Sequence, residues 1–301
     1  MTLEAARVRF ALLMLVASST FFGCMAFAAK LASVNISGSE VAMIRFLISL
    51  APVLVIPSFR KAAFTFTRID LLIYRGFFGG LAVLLYFLAI AHIPVGIATL
   101  LNYTAPIFSG LFAAMFIGEP LRPAVIAPLG IAMVGVALVV IGRVEPHRFL
   151  GFGVWELAGL GSAILSGAAV TAIRSARRTE GAWAIFASFS LFGLVATAPF
   201  ALWSWKTPTP REWGLLLAVG LLSIAAQLLM TYSYRWVETV TAGVISQLAV
   251  VISMMLGFVF LHEVITTKAA IGSLLTLTGV LLIMLVSARR KASAFDEAPE
   301  Q

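Results

Sequence analysis

Apolar residues run along this chain in long unbroken stretches separated by short polar turns. A hydrocarbon core about 30 Å thick takes roughly 20 residues of helix to cross. Ten stretches near that length can be counted: 10–29, 40–57, 69–91, 95–117, 124–142, 152–173, 183–203, 212–233, 239–261 and 268–287. Transmembrane strands would run about ten residues and alternate apolar with polar side chains. These stretches are longer and apolar throughout, so helices must satisfy the backbone. The pattern predicts an all-α polytopic membrane protein of ten transmembrane helices with no soluble domain. Arg7 and Arg9 ahead of the first stretch would suit a cleaved signal peptide, but a matching stretch at 152–173 favours a retained first helix.

The order of stretches and turns repeats at an offset of 144 residues. Gly23 then falls on Gly167, Lys30 on Arg174, Gly76 on Gly220, Glu119 on Glu263 and Gly135 on Gly279. This predicts two five-helix units, 8–142 and 152–288, joined by a polar connector at 143–151. The polar tail, 289–301, is expected to be cytoplasmic and disordered. Five is odd, so the second unit must be inverted relative to the first. Two such units facing each other can rock about a central site and open it to either side. The third and fourth stretches are separated only by His92, Ile93 and Pro94, a tight hairpin, and Pro106 inside the fourth predicts a kink.

Composition agrees: 61% of the residues are apolar and 11% charged, with a mean hydropathy of +1.05. The net charge of +8 does not point to nucleic acid, because the basic residues sit in short loops rather than on one face. Arg7, Arg9, Arg60, Lys61, Arg68, Arg122, Arg174, Arg177, Arg178, Arg235, Arg289, Arg290 and Lys291 fall on one side of the predicted membrane. Only Lys30, Arg143, Arg148, Lys206, Arg211 and Lys268 fall on the other, so the positive-inside rule puts both termini in the cytoplasm. The lone Cys24 excludes an intrachain disulfide and a cysteine metal cluster.

Four features resemble the EamA family of the drug/metabolite transporter superfamily over about residues 8–288. They are Phe22-Gly23 followed by Lys30, the Arg45-Phe46-Leu47 opening of the second stretch, the hairpin with Pro106 and Gly118-Glu119, and the closing stretches around Gly135 and Gly279. The second copy of the hairpin keeps Glu263 but has Val250 in place of Pro106. The resemblance implies a secondary transporter of small organic metabolites, more often an exporter than an importer. It leaves the substrate open.

Polar groups within spans face a partner or a wet cavity. Asn102, Tyr103 and Thr104 precede Pro106, and Ser246 and Gln247 hold the matching depth in the second unit. Asn102, Tyr103, Ser246 and Gln247 are therefore candidate substrate contacts near the midplane, the alternative being plain helix–helix hydrogen bonding. Gln227 and Tyr86 are expected near one depth, lining the same cavity. Arg45, inside the second span, costs about 2.5–3.5 kcal/mol on insertion scales; it either meets an anion near the outer mouth or snorkels to the interface. Gly76 and Gly80 read as close helix packing. Lys30, Pro106, Glu119 and Glu263 are candidate gating or structural residues. Glu119 and Glu263 each oppose their own helix dipole, so a basic partner such as Arg122, Arg75 or Lys268 is expected.

All acidic residues lie in loops, tails or close to helix ends, and no Gly-x-x-x-x-Gly-Lys-Ser/Thr loop occurs. The expected carrier is uncoupled and hydrolyses no ATP. No metal or cofactor site is legible. An intramembrane enzyme would need a reactive cluster at depth, which is missing. A lipid or lipid-linked carrier flippase remains the alternative, with Arg45 and Lys30 as a headgroup site. The expected cargo is a small, amino-acid-like solute crossing a bacterial inner membrane, the protein acting as a monomer or homodimer among membrane lipids.

Overall fold

The computed structural model describes residues 3–108, 111–112, 123–141, 148–149, 152–176, 179–233, 236–237 and 245–296. Eleven helices occur among them. The first unit holds α1 (Leu3–Ala32), α2 (Gly38–Val55), α3 (Pro57–Ala63), α4 (Ile69–His92), α5 (Val95–Asn102) and α6 (Pro123–Ile141). The second holds α7 (Val154–Ala176), α8 (Ala182–Trp203), α9 (Pro210–Ser233), α10 (Leu248–Leu261) and α11 (Thr267–Asp296). Between them a two-residue antiparallel pair, β1 (Arg148–Phe149) and β2 (Phe152–Gly153), turns the connector. Five helices are long and apolar enough to cross a membrane, and five shorter apolar ones accompany them.

Local chemistry sets the boundaries. Ser37 and Glu40 form a reciprocal capping box at the start of α2. Pro57 at the first position of α3 needs no amide partner, which lets a short helix form in what the sequence leaves as a loop. The fourth stretch is broken rather than kinked. α5 stops at Asn102, a turn follows at Tyr103-Thr104, and helix resumes before Pro106. Pro106 has no N–H to offer the Asn102 carbonyl four residues back, so the regular ladder fails there, and Thr104 and Ile107 bond three residues back instead. α11 runs on to Asp296, past the start of the expected disordered tail. Ala288, Ala292 and Ala294, strong helix formers, carry it.

The surface is apolar, unlike that of a water-soluble protein, and the interior holds polar groups beside its apolar core. Leu13, Leu54, Phe77, Val195, Leu202, Phe258 and Leu274 are exposed. Ser18, Ser49, Arg45, Arg75, Thr99, Gln227, Gln247, Ser253 and Thr276 are buried. That partition suits lipid outside and a polar path within.

The inversion is visible in matched contacts. Gly135 of α6 lies against Thr276 of α11, and Gly279 of α11 lies against Ala132 of α6. These are mirror pairs under the 144-residue offset, and as one helix ascends the other descends. Likewise Gly76 packs on Phe192 while Gly220 packs on Ile48. The units are interleaved rather than side by side. α4 and α5 pack on α7 of the other unit, and symmetrically α9 and α10 pack on α1. The pairs α2–α8 and α6–α11 tie the two groups together. The main apolar core crosses the units too, with Ala29, Phe87, Ile90, Ile97 and Leu100 meeting Leu216, Val219 and Val250.

Candidate functional site

The two interrupted helices meet. Gln247, buried and set at the turn before α10, donates from Nε2 to the Tyr103 carbonyl at 3.4 Å, and the two positions stand 144 residues apart. Matched residues of inverted units touch at the pseudo-twofold axis, so this contact lies on the axis that relates the two units. The Gln247 interruption needs no proline, since Val250 keeps its N–H and donates it to the Gln247 carbonyl at 3.0 Å. Sequence alone gives no sign of it.

Polar groups gather around that centre. Asn102 donates from Nδ2 to Ser162 at 2.9 Å and Ser166 at 3.4 Å, both on α7. Tyr86 lies 2.9 Å from the Thr99 hydroxyl, whose single proton goes to the Val95 carbonyl at 2.7 Å, so Tyr86 is the donor. Ser246 is half-buried beside Gln247. Asn102, Tyr103 and Gln247 are thus brought together, with Tyr86 a turn away through Thr99.

Gln227 is not in that set. α4 and α9 are equivalent and run in opposite directions, so Tyr86 sits six residues from the end of α4 on one side and Gln227 six from the end of α9 on the other. The expectation of one shared depth fails because inversion mirrors depth. Gln227 belongs instead with Arg45. Arg45 neither snorkels nor reaches an outer mouth: it is 3% exposed and donates from Nε to Ser223, one turn from Gln227 on α9. Its guanidinium lies 4.9, 5.5 and 5.8 Å from the rings of Phe46, Phe189 and Phe87. Desolvated cation–π contacts of about 2 kcal/mol and a charged hydrogen bond of about 1.5–3 kcal/mol offset an insertion cost near 3 kcal/mol.

Sequence reasoning passed over several groups. Arg75 of α4, considered only as a basic partner for Glu119 or Glu263, is buried with its guanidinium 4.1 Å from the Phe189 ring. A charge inside an apolar run was the available signal. Ser162, Thr99 and Ser223 gave none, because serines and threonines are scattered through every span.

The gating candidates form a clamp on the α4–α5 turn. Lys30, at the end of α1, donates to the Ile93 carbonyl at 2.9 Å and the Ala91 carbonyl at 3.4 Å. Glu263 accepts the Val95 N–H on both oxygens at 3.0 Å. A cation thus meets a helix carboxyl end and a carboxylate meets a helix amino end, both favoured by the macrodipole. Glu263 is aimed by His262, which caps α10 in the left-handed region at φ 51°. The group that holds Glu263 is therefore a backbone amide of the opposite unit. Glu119, its match, lies outside the described residues. Other cross-unit ties are Glu40 to the Lys206 N–H at 2.7 Å, Asn35 to Glu212 at 2.9 Å, and Glu180 to the Arg68 N–H at 2.8 Å.

A helical membrane protein with two inverted repeats and a polar centre is the architecture of a carrier. The EamA-like transporter family matches this chain twice, over residues 9–141 and 153–285, and the chain belongs to that family. It is similar to the pseudopaline exporter CntI of Pseudomonas aeruginosa, with 29% identity over 266 residues, 87% of this chain and 92% of the relative. It is also similar to a Streptantibioticus cattleyicolor protein named "Probable terminal-alkyne amino-acid exporter", with 30% identity over 67% of this chain and 69% of the relative. One solved crystal structure superposes with a TM-score of 0.63 at 22% identity, covering 93% of this chain and 98% of the other, a likeness of fold. The chain is therefore a multi-pass membrane transporter of small molecules rather than an enzyme.

Proposed function

We infer that this protein exports or exchanges a small, amino-acid-like metabolite by alternating access across a bacterial inner membrane, with both termini in the cytoplasm. The observation that carries the reading is the Gln247–Tyr103 contact, where two interrupted helices related by the repeat meet at the centre. Interrupted helices free backbone carbonyls and amides for a solute at mid-membrane. The names of the two exporters support an organic cargo of this kind.

The sequence units 8–142 and 152–288 fold together, and the moving bodies are mixed: α4, α5 and α7 in one, α9, α10 and α1 in the other. The Lys30 and Glu263 clamp spans these bodies at one membrane face. Among the described residues the carboxylates Glu40, Asp70, Glu156, Glu180, Glu212 and Glu263 stand within about two turns of a helix end. No mid-span proton carrier is provided by them, which supports movement down the solute's own gradient.

The test is counterflow in proteoliposomes loaded with a mixture of amino acids. Exchange of a labelled amino acid is expected, unaffected by collapsing a pH gradient, and reduced at least tenfold in Asn102→Ala and Gln247→Ala. Exchange confined to labelled lipid, with none for any water-soluble solute, would establish the flippase alternative instead.

A further inference from the structure

A short strap between two spans carries exposed cations and exposed aromatic rings side by side. It consists of α3 and residues 64–68, and it joins the end of the α2 span at Val55 to the start of the α4 span at Ile69. One face of the strap is held down. Phe59 stacks on Trp183 of α8 with ring centroids 3.9 Å apart, and Ala63, one turn on, is buried with Val53 and Phe186. Glu180, just ahead of α8, accepts the N–H groups of Thr67 and Arg68 at 3.1 and 2.8 Å. With Phe59 and Ala63 committed to α8, Arg60 and Lys61 are left exposed on the other side of α3.

The three cations of the strap count alike in the charge bias of the sequence, but the structure separates them. Arg68 gives its fork to Asp70, at 2.9 Å from Nε and 2.6 Å from Nη2. Among the described residues the side chains of Arg60 and Lys61 make no hydrogen bond or ion pair. Val55 and Phe64, on either side of them in the chain, are 76% and 64% exposed, and Phe66 is exposed as well. Free cations beside bare rings, at the ends of two spans, suit the boundary where acyl chains meet headgroups. Leu54 of α2 and Ile69 of α4 are also exposed at those ends, so lipid already reaches the strap from both sides. Two adjacent positive charges favour a lipid of net negative charge, because a zwitterionic headgroup brings a cation of its own. Arg60 can hold a phosphate in a two-bond fork and Lys61 can hold it as a point charge.

We propose that α3 and residues 64–68 form a binding surface for anionic phospholipid, with Arg60 and Lys61 on the headgroup phosphate and Phe64 and Phe66 among the acyl chains. This does not depend on the carrier reading. In the orientation inferred above, the leaflet is the cytoplasmic one.

The experiment puts a fluorophore on Thr65→Cys in a Cys24→Ser background of the full-length protein, reconstituted in mixed vesicles of phosphatidylcholine and phosphatidylglycerol. One lipid or the other carries bromine on its acyl chains, and quenching reports which of them sits against the strap. Each Lys or Arg near an anionic surface gains about five-fold in affinity, so a preference of about tenfold or more for phosphatidylglycerol is expected. Arg60→Gln together with Lys61→Gln should abolish the preference. Asp70→Asn, which releases the Arg68 guanidinium, should raise it about five-fold. That gain keeps the idea testable if the double variant does not fold. Equal quenching by both lipids, a preference that survives the double variant, or one that Asp70→Asn leaves unchanged each overturn the surface. So does a label shielded from both brominated lipids, which would mean that protein covers the strap.

Discussion

Glu263 is a carboxylate set at the end of a helix whose own dipole repels it. It stays because Val95, freed by Pro94 from any earlier helical turn, presents an N–H at the positive end of α5. Charge at a helix end is worth about 0.3–1 kcal/mol, rising to about 2 kcal/mol when partly buried. Glu263→Gln should therefore lower the unfolding temperature by a few degrees, about 2–4 °C per kcal/mol. It should also raise thiol labelling of a cysteine placed at Val264 in a Cys24→Ser background; unchanged labelling would show that the clamp closes nothing. Tyr86 and Thr99 allow a sharper comparison. Tyr86→Phe leaves Thr99 bonded to Val95, whereas Thr99→Val strands the buried Tyr86 hydroxyl. An unsatisfied buried group costs about 1–3 kcal/mol against roughly 1 kcal/mol for a lost bond. Thermal denaturation should rank Thr99→Val as the more damaging, and the reverse order would mean that Tyr86 finds another acceptor.

At the scale of elements, the breaks in the fourth and ninth spans have different causes. Pro106 denies Asn102 its helical partner, so Pro106→Ala restores the missing donor and lets α5 run on. The expected result is a more heat-stable protein with slower exchange, because a continuous helix no longer offers free backbone at the centre. Faster exchange would argue that the proline is only packing. The turn at Gln247 has no proline at the position matching Pro106, and Gln247 there donates to the opposing Tyr103 carbonyl at 3.4 Å. Close packing of α4 on α8 needs Gly80, where an added Cβ would sit 2.6 Å from Gly193 Cα. Gly80→Val should cost about 1–3 kcal/mol as overpacking, read as loss of folded protein on size-exclusion chromatography after mild heating.

For the whole molecule, each repeat hands its helices to the other's bundle. In the proposed alternating-access cycle, the bodies that part would therefore be drawn from both repeats. A short bismaleimide bridge between cysteines at Val95 and Glu263, across the bodies, should abolish exchange. The same bridge between cysteines at Leu85 and Gly161, both within one body, should leave it intact. Equal inhibition by both bridges would place the division elsewhere.

The spans, their number and their duplication were legible because burial in lipid constrains every residue of a helix alike, and that constraint is written locally. Gly76 and Gly80 could be picked out as close-packing positions for the same reason, since a missing side chain is visible without a partner. Asn102, Tyr103 and Gln247 were also within reach, as polar residues at repeat-related positions in apolar runs. Depth was not: Tyr86 and Gln227 lie on equivalent helices, α4 and α9, yet inversion carries them to opposite halves of the bundle. Nor could Arg45 be given its three rings, Glu263 its amide, or Arg75 its place beside Arg45. Apart from the adjacent Phe46, those contacts join segments more than a hundred residues apart or helices of opposite direction. The sequence by itself determined which segments enter the membrane and that they come as two copies. Only the folded arrangement decided which polar groups face one another, because that depends on how the inverted copies interleave.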